Sequence, residues 1–233
     1  MADAVAVEVP AALTGTIMIH RYLDPDESLG ELLFGLIMAL TVTLGVRLLS
    51  SQDALKPHEL AIALIGCNVA WGIIDAALYL LGSLFSRGQR NHFIRKLRKV
   101  SSQTEAVEAI RDEFGLDDDH LAQEKDLAAF YGATLDVLRH ARIERARVRG
   151  KDLMAALMIA ILVSATAVPG AVPILLVDDG VVALRLANAL QLCLLFAVGY
   201  HWARYVGANP WRTGLIIVGL CIVLVAISIA LGG

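Results

Sequence analysis

Residues 63–85, ALIGCNVAWGIIDAALYLLGSLF, form an apolar run interrupted by Asn68 and Asp75. A helix rises ~1.5 Å per residue and the hydrocarbon core of a bilayer is ~30 Å thick, so about 20 apolar residues cross it. This run is long enough. A carboxylate near the middle of such a span costs roughly 2.5 kcal/mol or more and has to face protein or water rather than lipid. Asp75 therefore poses the first functional question: what keeps an acid at that depth.

The rest of the chain fits the same solvent. Hydrophobic residues make up 57% of the 233 positions and charged residues 18%, against about a quarter charged in an ordinary soluble domain. The charge is concentrated, since 14 of the 20 Lys and Arg lie between Arg87 and Lys151. The sequence reads as a membrane protein with one polar insert. Cys67, Cys193 and Cys221 fall in apolar runs without Cys-x-x-Cys spacing, and read as small core residues rather than a disulfide framework or metal site. Residues 11–19 are apolar but short and follow Asp3 and Glu8, so no cleavable leader is expected.

In chain order, residues 1–28 read as a tail or a short interfacial segment, with Ala11–Ile19 lying on the membrane surface. Ser28, followed by Glu31, has the spacing of a capping box for the first span, Leu29–Leu49. Arg47 sits at the far end of that span, where it can snorkel. The second span reaches Phe85 and offers small residues four apart, Gly66/Ala70 and Gly72/Ala76, which let helices approach closely. Residues 29–85 thus carry two spans. Residues 86–150 form the polar insert, opening with RGQRNHFIRKLRK and closing with LRHARIERARVRG. Within it, Ser102-x-x-Glu105 predicts a helix to about Phe114. The Asp117–Asp119 triplet predicts a second helix from about His120 through Arg149, weakened at Gly132. Residues 151–233 carry three spans, about Leu153–Val168, Gly180–Tyr200 and Thr213–Leu231, with a break at Pro169–Pro173 between the first two.

The predicted fold is all-α: a polytopic membrane protein with five transmembrane helices and a cytoplasmic helical insert between the second and third. Lys and Arg beside both ends of the insert, with Arg204 and Arg212 in the later link, place the insert and the N-terminus in the cytoplasm and the C-terminus outside.

This pattern resembles the vacuolar iron transporter family, in a divergent bacterial-type form. The resemblance rests on five spans with a helical insert after the second, on Gly30-Glu31 and Phe34-Gly35 opening the first span, on the Pro169–Pro173 break, and on the glycine-bearing tail with Gly199, Gly207, Gly214 and Gly219. It implies a homodimer in the membrane, here the bacterial inner membrane. The implied activity is proton-coupled export of Fe²⁺ or Mn²⁺ from the cytosol, with the ion as substrate and no permanently bound cofactor. It also implies an acid in the first span, matched by Glu31, and Met and acidic residues along the pore, matched by Met38 and Asp75. The insert departs from the glutamate-rich pattern of plant members: its first segment is basic, and the nearest equivalents of the metal-collecting acids are Glu105, Glu108 and Asp112.

The residues themselves leave alternatives open. Asp75 is a cation or proton site, with Asn68 and Glu31 adding oxygens that suit hard divalent ions, or it is a carboxylate tied to Arg185 or Asn68 for packing. Glu31 is a metal ligand or an acid complementing a helix dipole. Met38 is a soft ligand or core filler. Asp178 and Asp179 are an acidic exit on the outer side or a helix cap. Glu105, Glu108 and Asp112 are a ligand set or a solvated face. No hydrolase, metalloprotease or phosphate-loop motif is present, and the basic insert lacks the aromatic interleaving of a nucleic-acid surface. The expectation is a transporter and not an enzyme. The alternative is a non-transporting scaffold whose basic insert binds a partner or anionic lipid.

Overall fold

The computed structural model describes residues 25–49, 56–114 and 123–231, with side chains from Glu27 to Gly45 in the first of these stretches. The readings placed on residues 11–19, on the Arg47 side chain and on Asp117–Asp119 lie outside the described side chains. Eight helices are present among the described residues: α1 (Pro25–Leu49), α2 (Pro57–Lys99), α3 (Gln103–Phe114), α4 (Glu124–His140), α5 (Gly150–Ala165), α6 (Val168–Leu176), α7 (Gly180–Val206) and α8 (Pro210–Ala230). Five stretches are long and apolar enough to cross a membrane: Glu27–Gly45, Pro57–Lys99, Gly150–Leu176, Gly180–Val206 and Pro210–Ala230. The protein is an all-α polytopic membrane protein.

The chain divides into two compact units, one from residues 1–79 with 150–233, the other from residues 80–149. In the first, α1 packs against α5, α7 and α8, and α7 packs against α6 and α8. One buried cluster joins Ala39 of α1, Leu60, Ala61 and Leu64 of α2, and Ala171 and Ile174 of α6. Another joins Leu36 and Leu40 of α1 to Leu195 of α7 and Cys221 and Val225 of α8. Small residues set the closest approaches, as expected where lipid supplies no hydrophobic drive between helices. A Cβ on Gly199 would lie 3.1 Å from the Gly214 Cα, and one on Gly72 would lie 2.8 Å from the Ala160 carbonyl oxygen. Gly66 faces open space instead, so only one of the two predicted small-residue pairs marks a contact through its glycine.

Three local expectations need correction. Helix α1 begins at Pro25, so Ser28 lies within its first turn rather than capping it. Proline suits a helix start because the N–H it lacks has no partner there anyway. The break in the third span falls at Thr166-Ala167, and Pro169–Pro173 is helical, inside α6. Pro169 occupies the first turn, and only Pro173 interrupts the ladder. Finally, the second insert helix ends at His140, and residues 141–149 form no helix or strand. A run holding four arginines within nine residues repels itself as a helix, and here three of its carbonyls find side-chain partners on α2 instead.

In the second unit, Leu97, Ala106, Ile110, Tyr131 and Leu135 form a buried core between the end of α2, α3 and α4. Ser102 Oγ accepts the Glu105 N–H at 3.4 Å, the start signal read for α3. Helix α4 runs through Gly132 without a break.

Candidate functional site in the membrane unit

Helices α1 and α2 run antiparallel, and their contacts form a ladder. Glu31 meets Asp75, Gly35 meets Asn68, and Met38 meets Cys67. The carboxyl groups of Glu31 and Asp75 lie side chain to side chain, within hydrogen-bonding reach of one another. One oxygen of each, Glu31 Oε2 and Asp75 Oδ2, is buried without a hydrogen-bond partner among the described residues. Two carboxylates so placed repel unless a proton or a cation sits between them. Glu27, one turn before Glu31, lies within electrostatic reach of the same group. Glu27 is not among the candidates read from the sequence, although its i, i+4 spacing from Glu31 puts both on one face.

Asn68 does not join the acids. It is fully buried, and its Nδ2 donates to the Gly35 carbonyl at 3.0 Å, to Thr166 Oγ1 at 2.8 Å and to the Val163 carbonyl at 3.4 Å. Val163 and Thr166 flank the break between α5 and α6, where helical carbonyls lose their usual donors. Asn68 therefore binds three spans together at a weak point. Its Oδ1 is buried and unpaired.

One rung further, Cys67 Sγ lies 3.4 Å from Met38 Sδ. The two sulfurs line a cavity of about 410 Å³ together with Phe34, Thr41, Trp71 and Ser228. Met38 is half-buried and lines this cavity. The cysteines divide: Cys221 is buried as read, whereas Cys67 and Cys193 are exposed. Nothing in the spacing of Cys67 predicted a sulfur neighbour 29 residues away.

A second polar cluster escaped the sequence reading. Thr43 Oγ1 of α1 bonds with Asn188 Oδ1 at 2.7 Å and Gln191 Oε1 at 3.2 Å on α7. All three residues are buried, and Asn188 Nδ2 and Gln191 Nε2 have no partner among the described residues. The signal was present as Asn and Gln three apart in an apolar run, which in a membrane marks an interhelical contact.

The remaining candidates stand apart from the α1–α2 seam. Asp179 caps α7, its Oδ1 accepting the N–H groups of Val181 at 2.9 Å and Val182 at 3.0 Å. Asp178 is exposed. Arg185 is exposed too, and among the described residues no ion pair links it to Asp75. Glu105, Glu108 and Asp112 are exposed on α3. Among the described residues no three His, Cys, Asp or Glu side chains gather closely enough to hold a metal ion by themselves. The Glu31–Asp75 pair offers two such ligands.

Comparison with known proteins covers the other part of the chain. The VIT family model matches residues 85–233, more than half of the length, taking in the insert and the last three spans. Glu31, Asn68 and Asp75 precede the matched stretch. No curated protein matches the chain. With five spans and a helical insert on the page, the family assignment is direct: the chain belongs to the VIT family, a family of membrane metal-ion transporters.

Proposed function

We propose that the protein exports Fe²⁺ or Mn²⁺ from the cytosol in exchange for protons. It acts as a homodimer in the bacterial inner membrane, with its N-terminus and insert cytoplasmic and its C-terminus outside. The observation that carries this reading is the meeting of Glu31 and Asp75 across α1 and α2, each with a buried, unpaired oxygen. Carboxylate oxygens suit these divalent ions, and the same two groups hold a proton when no metal is bound. Met38 and Cys67 supply softer atoms further along the same seam, which favours Fe²⁺ over harder ions. The α1–α2–α8 cavity opens at the surface of one chain, which suits a path completed by a second copy. Among the described residues no Asp75–Arg185 ion pair competes with this reading.

The test is flux. Purified protein in liposomes is loaded with a Mn²⁺-sensitive dye, and uptake is followed for wild type, Glu31→Gln and Asp75→Asn. Loss of about tenfold or more is expected for each, the usual scale when a group supporting a metal site is removed. Wild-type rates in both variants would remove the pair from the path.

A further inference from the structure

The proposed ion path makes no use of a basic ribbon in the second unit. From Ser86 to Lys99, α2 carries six Lys and Arg and no acid, and residues 141–149 carry four Arg and one Glu. The second stretch is an irregular strap, leaving α4 through Ala141 at φ −62 and ψ 136, close to polyproline geometry at that residue. Three side chains of α2 hold its carbonyls. Arg98 donates to Ala141, Asn91 Nδ2 to Glu144 at 2.7 Å, and Arg87 Nη1 to Arg147 at 2.9 Å.

Within this unit α2 then has three faces. Phe93 and Leu97 pack on the core of α3 and α4. Arg87, Asn91 and Arg98 grip the strap. His92, Arg95, Lys96 and Lys99, at i, i+3, i+4 and i+7, share the remaining face and are all exposed. The strap's one acid, Glu144, is held by Arg149 at 3.3 Å. Arg90, Arg95, Lys96, Lys99, Arg142 and Arg145 form no ion pair among the described residues. A topology signal needs charge near a membrane helix. It does not need that charge ordered along a helix and a strap pinned to it, with like charges left to repel one another.

We propose that this ribbon binds the headgroups of anionic phospholipids. Helix α2 continues without interruption from its apolar span into the ribbon, and the strap ends at Arg149, one residue before α5 begins the next span. Both strands of the ribbon are thus tethered to membrane helices, which makes lipid phosphates the most concentrated anions within reach. The exposed face of His92, Arg95, Lys96 and Lys99 carries no Phe, Tyr or Trp platform for stacked nucleobases. This binding is independent of which ion is carried.

The full-length protein in neutral detergent is titrated with phosphatidylglycerol or phosphatidylcholine. Retained lipid is counted by native mass spectrometry, and thermal unfolding is followed alongside. Wild type is expected to retain phosphatidylglycerol selectively and to melt at higher temperature with it. The triple variant Arg95→Gln/Lys96→Gln/Lys99→Gln is expected to bind it roughly 100-fold more weakly, three headgroup-facing charges having been removed. Arg95→Lys is expected to bind like wild type. Equal phosphatidylglycerol retention by wild type and the triple variant would overturn the proposal. So would inorganic phosphate or a short oligonucleotide stabilising wild type as well as the lipid does. If the triple variant does not fold, Arg142→Gln/Arg145→Gln decides: weaker retention supports the ribbon and unchanged retention overturns it.

Discussion

Asn68 Nδ2 donates to Thr166 Oγ1 at 2.8 Å, and the Thr166 hydroxyl in turn donates to the Val163 carbonyl at 2.6 Å. A side chain of the second span thereby closes the gap where the third span changes from α5 to α6. Gly35 on the first span is the third wall of this junction, because a Cβ there would collide with Thr166 Oγ1. Replacing Asn68 with Leu removes three donor contacts and leaves the freed carbonyls buried. Interhelical hydrogen bonds in membranes are worth about 0.6 kcal/mol each, up to about 1.7. Asn68→Leu is therefore expected to lose roughly 1–2 kcal/mol, read as a lower midpoint in thermal unfolding in detergent. An unchanged midpoint would mean that the junction holds without this clamp.

Gly66 and Gly72 of the second span give a paired measurement. A methyl group on Gly72 would sit 2.8 Å from the backbone oxygen of Ala160, which cannot swing aside, while one on Gly66 meets nothing within 4 Å. Gly72→Ala is expected to destabilise by about 1–3 kcal/mol, the usual range for overpacking. Gly66→Ala is expected to be neutral or slightly stabilising, since alanine is the better helix former. Similar melting of the two variants would place α2 differently against α5.

The buried trio of Thr43, Asn188 and Gln191 separates stability from specificity. Thr43→Val keeps the shape and removes the hydroxyl, leaving both amides stranded, at an expected cost of about 1–3 kcal/mol. Replacing all three with Val, Leu and Leu removes every polar group at once and is expected to recover most of that loss, because an apolar substitute of similar shape has nothing left to satisfy. Thermal unfolding of the single and triple variants checks this. A triple variant less stable than Thr43→Val would show that the trio stabilises more than its own groups.

Much of the architecture was legible because a bilayer imposes strict rules. Length and apolarity marked the five spans, and the insert announced itself by its charge. The errors arose where one local signal met another. The Pro169–Pro173 pair read as a break, yet proline in a first turn is compatible with a helix, and the interruption moved to Thr166. The basic tail of the insert read as helix because no Gly or Pro stops it, but its carbonyls are claimed by Arg87, Asn91 and Arg98. At the candidate site, Asp75 and Glu31 stood out as acids in apolar surroundings. That they pair with one another, with Asn68 left to a neighbouring rung, depends on the register of α1 against α2. Nothing in either helix alone fixes that register. Cys67 against Met38 and Thr43 against Asn188 are long-range meetings of the same kind.

The acid pair carries the last prediction, which concerns pH. Two carboxyls within hydrogen-bonding reach of one another favour a proton or a cation between them, so on the proposed reading the two compete for one place. Raising pH lowers proton occupancy, and the apparent affinity for Mn²⁺ should rise with it. Lowering pH should weaken Mn²⁺ binding by up to tenfold per pH unit, the limit when one proton is displaced per metal ion. In Glu31→Gln, a single carboxyl remains without its acidic partner. Binding is expected to be weaker throughout, and its dependence on pH should flatten, since one of the two carboxyls that exchange a proton for the ion is gone. Calorimetric titration of Mn²⁺ at several pH values, in wild type and variant, reads both effects. A wild-type affinity independent of pH would mean that the ion does not displace a proton from Glu31 and Asp75, and the coupling would have to run through other groups.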